Sequence, residues 1–241
     1  MNEVNVSNVG EFHEIFSCPY GIDETCFRGV PDSNYELVPS LGRIPQLIDD
    51  KNMLISYELR IIDEFKRRVS YLLDNSPKSE WEWLFIAQHY GIPTRLIDWT
   101  SNPLVALYFA VSENPERDFA IYQGDFSERL YQSPDGKMND MGLVGYVPKE
   151  INPYEINKLY AIFPSHFDKR LQNQSAFFTA IPNPDRSLEA NITKYIFPSS
   201  LKVNFQSMLN AFGITKSFLF PTIDVIAEEI KEKWELELPM P

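Results

Sequence analysis

The sequence predicts an α+β protein, with a mixed or antiparallel central sheet and flanking helices. Three observations predict it. Apolar residues recur at helical spacing from Asn52 to Leu73 and again from Lys78 to Tyr90. Beyond Asn114 the texture changes to short β-type runs bounded by Pro, Gly, Asn or Asp. The C-terminal part then returns to helix twice. With 241 residues and a hydrophobic fraction of 44%, the chain can bury a full core without a metal or disulfide staple. One domain over residues 1–241 is expected, with a motif half at about 20–115 and a strand-rich, then helical, half at about 116–241.

Residues 1–25 read as a lead-in segment, and Thr25 to Val30 as a short strand ending at a turn rich in Pro31, Asp32, Ser33 and Asn34. Leu54, Tyr57, Ile61, Ile62, Phe65, Val69 and Leu72 then mark an amphipathic helix. A second helix carries Trp81, Leu84, Phe85 and Gln88 and stops at Gly91 and Pro93. Thr94 to Trp99 reads as a strand. Thr100 or Ser101 would cap the next helix, with Pro103 in its first turn, where the missing donor costs little. Later strands are expected at Phe119–Tyr122, Gly142–Val147, Leu159–Phe163, Ala176–Ile181 and Thr193–Phe197, and helices at Leu201–Phe212 and Val225–Trp234.

Acidic residues outnumber basic ones by 34 to 22, a formal charge of −12 that disfavours nucleic acid and anionic lipid as partners. Lys66, Arg67 and Arg68 are the best candidate for a local basic patch, read as a solvated helix face. The start lacks a basic and apolar leader, and the longest apolar run, Leu104 to Val111, is too short to span a bilayer. A cytoplasmic protein without membrane partners is the expectation. Cys18 and Cys26 read as small buried hydrophobes, and no histidine pair has metal-ligand spacing, so no metal site is expected.

The polar residues that stand out are Arg28 beside Gly29 at a strand end, then His89, Arg95 and Asp98 around a helix-to-strand turn. A guanidinium offers a planar fork of donors for an anion, and glycine lets a ligand approach the backbone; an ion pair with one of the many acids is the competing reading. His89 and Asp98 could serve a cleft or pin the turn by hydrogen bonds. No G-x-S-x-G elbow supports a serine triad. Trp99, between Asp98 and Thr100, is placed at a pocket wall.

Phe27-Arg28-Gly29 and the run Gln88-His89-Tyr90-Gly91-Ile92-Pro93-Thr94-Arg95-Leu96-Ile97-Asp98-Trp99-Thr100 resemble the bacterial FRG-domain family. Ala106 to Ala110, then Arg170 with Gln174 and Phe177, which resemble the family's R-x-x-x-Q-x-G-x-F pattern with Ala176 in place of Gly, and Leu219-Phe220-Pro221 extend the resemblance. It implies a setting in phage defence or stress response. A looser resemblance links Asp98-Trp99-Thr100-Ser101 and the following helix to the second motif of ADP-ribosyltransferases. That comparison implies NAD as a cofactor, with Arg28 steadying it, Thr100 and Ser101 lining the pocket, and Gln174 where such enzymes place a glutamate. Gln174 can bond a ribose hydroxyl but carries no negative charge for an oxocarbenium-like transition state, so Asp98 or Glu189 would have to supply the acid.

Three readings follow. In the first, an NAD-dependent transferase or glycohydrolase-like enzyme uses His89, Asp98 and Gln174 as catalytic residues and Arg28, Gly29, Arg95, Trp99, Thr100, Ser101 and Arg170 to bind a nucleotide such as NAD or ADP-ribose. In the second, the same pocket belongs to a non-catalytic module that senses a ligand or a partner protein. In the third, the motif residues form a buried structural network.

Overall fold

The computed structural model describes residues 1–17, 25–47, 50–73, 75–126, 151–162, 164, 169–188 and 190–237. In chain order these form β1 (Asn2–Asn5), α1 (Val9–Phe16), β2 (Thr25–Val30), α2 (Lys51–Val69), α3 (Glu80–His89), β3 (Leu96–Thr100), α4 (Pro103–Val111) and β4 (Phe119–Asp125). Then come β5 (Tyr160–Ile162), α5 (Lys169–Asn173), β6 (Ala176–Ala180), β7 (Ile192–Phe197), α6 (Lys202–Ala211), α7 (Lys216–Leu219) and α8 (Ile223–Glu237). The strands make one seven-stranded sheet in the order β1-β7-β4-β2-β3-β6-β5. Among the described residues only β1 and β7 run parallel, so the fold is α+β with a mixed sheet and flanking helices.

Local chemistry sets the helix ends. Asp50 accepts the Met53 N–H at the start of α2, and Lys66, Arg67 and Arg68 close its last turn, where cations suit the helix dipole. Those three bases pair with Glu64 and Glu80, as a solvated face should. Ser79 caps α3, and Gly91, at φ +79°, turns the chain away from it. The cap of α4 is Asn102, one residue past the expected pair, because Thr100 is still engaged in the sheet. Asn102 accepts the Leu104 N–H, and Pro103 follows in the first turn as expected.

The first correction concerns residues 1–25. They are no mere lead-in: β1 pairs with Thr193 to Ile196 of β7, and α1 buries Phe12 and Phe16. The expected strand at Gly142–Val147 lies outside the described residues. The other expected strands and helices are present with ends shifted by a few residues.

Period-two alternation divides the core between the faces of the sheet. On β4, Phe119 and Ile121 join α1, α4 and α6, whereas Ala120 and Tyr122 join the opposite face with Cys26, Ile97, Trp99 and Phe177. A third cluster sets α3 against Leu96, Ile162 and Phe178. The sheet is also divided along its width. β2 pairs with β4 from Thr25 through Val30, yet meets β3 only where Phe27 faces Thr100. Beyond that rung β2 and β3 part.

Candidate functional site

A cleft of about 290 Å³ opens at this parting of the strands. One wall is β2 with α4, contributing Phe27, Gly29, Ala106 and Phe109. The other is the C-terminal end of α3 with β3, α5 and β6, contributing Gln88, His89, Asp98, Arg170 and Gln174. The volume is at the small end of the range for small-molecule sites, and the mixture of aromatic walls with a few polar groups is typical of them.

Arg28 spans the gap. Where β2 no longer pairs with β3, its Nη1 donates to the Asp98 carbonyl at 2.8 Å, so the side chain satisfies a backbone acceptor that a ladder bond would otherwise serve. The same nitrogen lies 3.6 Å from Asp98 Oδ2. Burial pulls the guanidinium pKa below its ordinary value; the Asp98 carboxylate opposes that shift and nearby Arg43 adds to it.

Asp98 is held from the other wall. Gln88 Nε2 donates to its Oδ2 at 2.7 Å, Thr94 Oγ1 donates to Gln88 Oε1 at 2.7 Å, and the Leu96 N–H donates to Thr94 Oγ1 at 3.1 Å. At the apex, Thr100 Oγ1 donates to the Gln174 carbonyl at 2.7 Å and accepts the Asn102 N–H at 3.0 Å. Arg170 donates to the His89 carbonyl at 3.2 Å, with its guanidinium 4.5 Å over the Phe220 ring. Gln174 Nε2 donates to the Leu219 carbonyl at 3.2 Å, so the Leu219-Phe220-Pro221 segment braces the floor of the cleft.

Of the ten residues singled out from sequence, Arg28, Gly29, His89, Asp98, Trp99, Thr100, Arg170 and Gln174 border this cleft. Three placements differ from expectation, each for a physical reason. Arg95 is fully buried away from it: Nε and Nη2 donate to Glu58 Oε2 at 2.8 and 2.5 Å, and its N–H donates to Oε1 at 2.8 Å. The two side chains form a fully buried ion pair. Trp99 borders the cleft, but strand alternation turns its indole to the opposite face, where Nε1 donates to Thr179 Oγ1 and Phe126 packs edge-on at 4.9 Å. Ser101 is exposed and outside the lining, with its N–H on the Ser175 carbonyl.

Gly29 has a clear requirement, though a different one from ligand approach. A Cβ there would sit 1.7 Å from the Ala106 carbonyl oxygen and 2.8 Å from the Ala110 nitrogen, so glycine lets β2 lie directly on α4. Glu189, the alternative acid, lies outside the described residues. The cleft's carboxylates among the described residues are Asp98 and Glu113. Sequence reasoning missed Gln88 and Glu58. Gln88 immediately precedes His89 in the motif, and Glu58 interrupts the i, i+4 stripe from Leu54 to Ile62, a place where a carboxylate needs a buried partner. Among the described residues, no three His, Cys, Asp or Glu side chains are grouped to hold a metal ion, and no helix is long and apolar enough to cross a membrane.

No curated protein and no solved structure matches the chain. A family model described as the FRG domain matches residues 23–118. The matched stretch contains β2 with Phe27-Arg28-Gly29, the whole run from Gln88 to Thr100, and α4, which together supply one wall of the cleft and half of the other. Residues 23–118 thus carry an FRG domain.

Proposed function

We propose that the cleft binds a nucleotide-like ligand such as NAD or ADP-ribose. The observation that carries this reading is the Arg28 guanidinium at the split in the sheet. Among the described residues only its Nη1 makes a hydrogen bond, and Nε and Nη2 can offer a planar donor edge to a phosphate. Arg170 adds a second cation, and Phe27, Phe109 and Phe178 supply apolar walls for a ring. Arg170 and Gln174 lie beyond the matched family stretch, so the site needs residues from both halves of the chain, which supports one functional unit over 1–241. The phage-defence or stress-response setting comes into this proposal from the family resemblance alone.

If the ligand is turned over, Asp98 is the cleft carboxylate suited to stabilise developing positive charge, with His89 also in the cleft lining. A non-catalytic sensor is the second reading, and one observation favours it. Gln174 occupies the place where the ADP-ribosyltransferase comparison wants an acid, and its amide is committed to the Leu219 carbonyl.

The test is a thermal-shift screen against NAD, ADP-ribose, nucleoside triphosphates and cyclic nucleotides, with Arg28→Ala as control. A ligand at a hundred times its Kd stabilises by about 2.7 kcal/mol, an upward Tm shift of roughly 5–10 °C for a chain of this size. The shift should vanish in Arg28→Ala. No shift with any of these compounds overturns the reading, and binding without release of nicotinamide from NAD favours the sensor.

A further inference from the structure

The hydrogen bonds leading to Asp98 have a fixed direction. A backbone N–H can only donate, so the Leu96 amide makes Thr94 Oγ1 an acceptor and leaves the hydroxyl proton for Gln88 Oε1. With Oε1 taken, the Gln88 amide presents Nε2 to Asp98 Oδ2. The opposite amide orientation would face a carbonyl oxygen against a carboxylate, so the chain runs one way, from backbone to Asp98. Ser40 anchors its start, accepting the Thr94 N–H at 3.1 Å.

Both side-chain contacts of Asp98, from Gln88 and from Arg28, fall on Oδ2. Oδ1 is left without a hydrogen bond to the described residues, on a side chain that is 52% exposed and borders the cleft. We infer that Asp98 Oδ1 accepts a hydrogen bond from a ligand hydroxyl, and that Gln88 is the positioning residue that turns Oδ1 towards it. The ligand class is a sugar phosphate with a free hydroxyl near its anionic group, because Arg28 offers donors within a few ångströms of the Asp98 acceptor. This rests on the nucleotide reading and narrows it to the 2-hydroxyl of the ribose. Arg28 takes the phosphate, Asp98 reads the hydroxyl, and Gln88 holds Asp98 through an amide that need not touch the ligand.

The experiment compares ribose 5-phosphate, 2-deoxyribose 5-phosphate and ADP-ribose by calorimetric titration on the full chain, using wild type, Gln88→Leu and Asp98→Ala. Loss of a hydrogen bond to a charged group weakens binding by about 10–150-fold. Wild type should therefore bind the ribose compounds at least about tenfold more tightly than the 2-deoxy sugar. Asp98→Ala should erase that preference while retaining phosphate-driven binding, and Gln88→Leu should shrink it. Gln88→Glu, which donates to Asp98 only when protonated, should regain part of the preference as the pH is lowered towards 5. Equal binding of the ribose and 2-deoxyribose phosphates by wild type overturns the hydroxyl inference and leaves the nucleotide reading standing. A preference unchanged in Gln88→Leu overturns the positioning role. No binding of ADP-ribose or either sugar phosphate by wild type overturns both proposals together.

Discussion

Replacing Glu58 by Met tests whether Arg95 is a structural group or a ligand group. In the wild type the pair is fully buried, and Glu58 satisfies three donors of Arg95: the backbone N–H, Nε and Nη2. Arg95 Nη1 has no hydrogen-bond partner among the described residues, and the guanidinium lies 5.5 Å from the Tyr154 ring. Removing the carboxylate leaves a charged guanidinium with no anion in a dry core, a loss of about 3–5 kcal/mol. For a chain of this length that is a fall in Tm of roughly 6–20 °C. The double variant Glu58→Met with Arg95→Met removes both charges and keeps similar volume. Its remaining cost is the orphaned Arg95 N–H, about 1–3 kcal/mol, so the double variant should be more stable than Glu58→Met alone. Urea denaturation of the two single variants and the double variant measures the coupling. Additive losses, or a Glu58→Met protein as stable as wild type, would refute the buried-pair account. An Arg95→Met protein of unchanged stability that no longer responds to ADP-ribose would return Arg95 to the ligand.

Two further perturbations probe the cleft wall and the opposite face. Gly29→Ala places a Cβ against the backbone of α4, which cannot yield as a side-chain end could; the loss should exceed the usual overpacking cost of about 1–3 kcal/mol and should appear as a lower midpoint in urea. Tyr122 donates its hydroxyl to the Tyr35 carbonyl at 2.6 Å, and burial pushes its pKa up from 10.0 to about 12. The folded state therefore holds this proton more tightly than the unfolded chain, and the associated stability is present below pH 10 and lost as pH rises from 10 to 12. Tyr122→Phe should cost about 0.5–1.5 kcal/mol at neutral pH and flatten that alkaline decline; an unchanged decline in the variant would assign it to other groups.

α2 was legible because its burial is one-sided and its apolar residues recur at helical spacing, whereas β4 and β6, buried on both faces, and β7 were legible as short β-type runs bounded by turn residues. Pro103 and Gly91 mark helix ends through backbone chemistry that any context preserves. β1 was invisible because all four of its side chains are exposed and it contributes backbone pairing rather than an apolar pattern. The cleft was legible as a set of residues but not as a geometry. Asp98 and Trp99 are neighbours in sequence, yet pleating sends them to opposite faces. Arg95, three residues before Asp98, faces a glutamate 37 positions away. Whether a polar residue in such a run meets solvent or a buried partner depends on long-range packing, here on where α2 lies against β3.

Strand β1 has a bearing on solubility. Every bond it makes to the sheet goes to the outer side of β7, where Thr193, Lys194, Tyr195 and Ile196 would otherwise present a row of open donors and acceptors. With Asn2, Glu3 and Asn5 at its surface and only four residues of length, β1 is a poor template for another chain. It covers a longer, more apolar strand with a short, polar one. A protein lacking its first few residues would keep its core and its cleft, and would expose an edge suited to self-association.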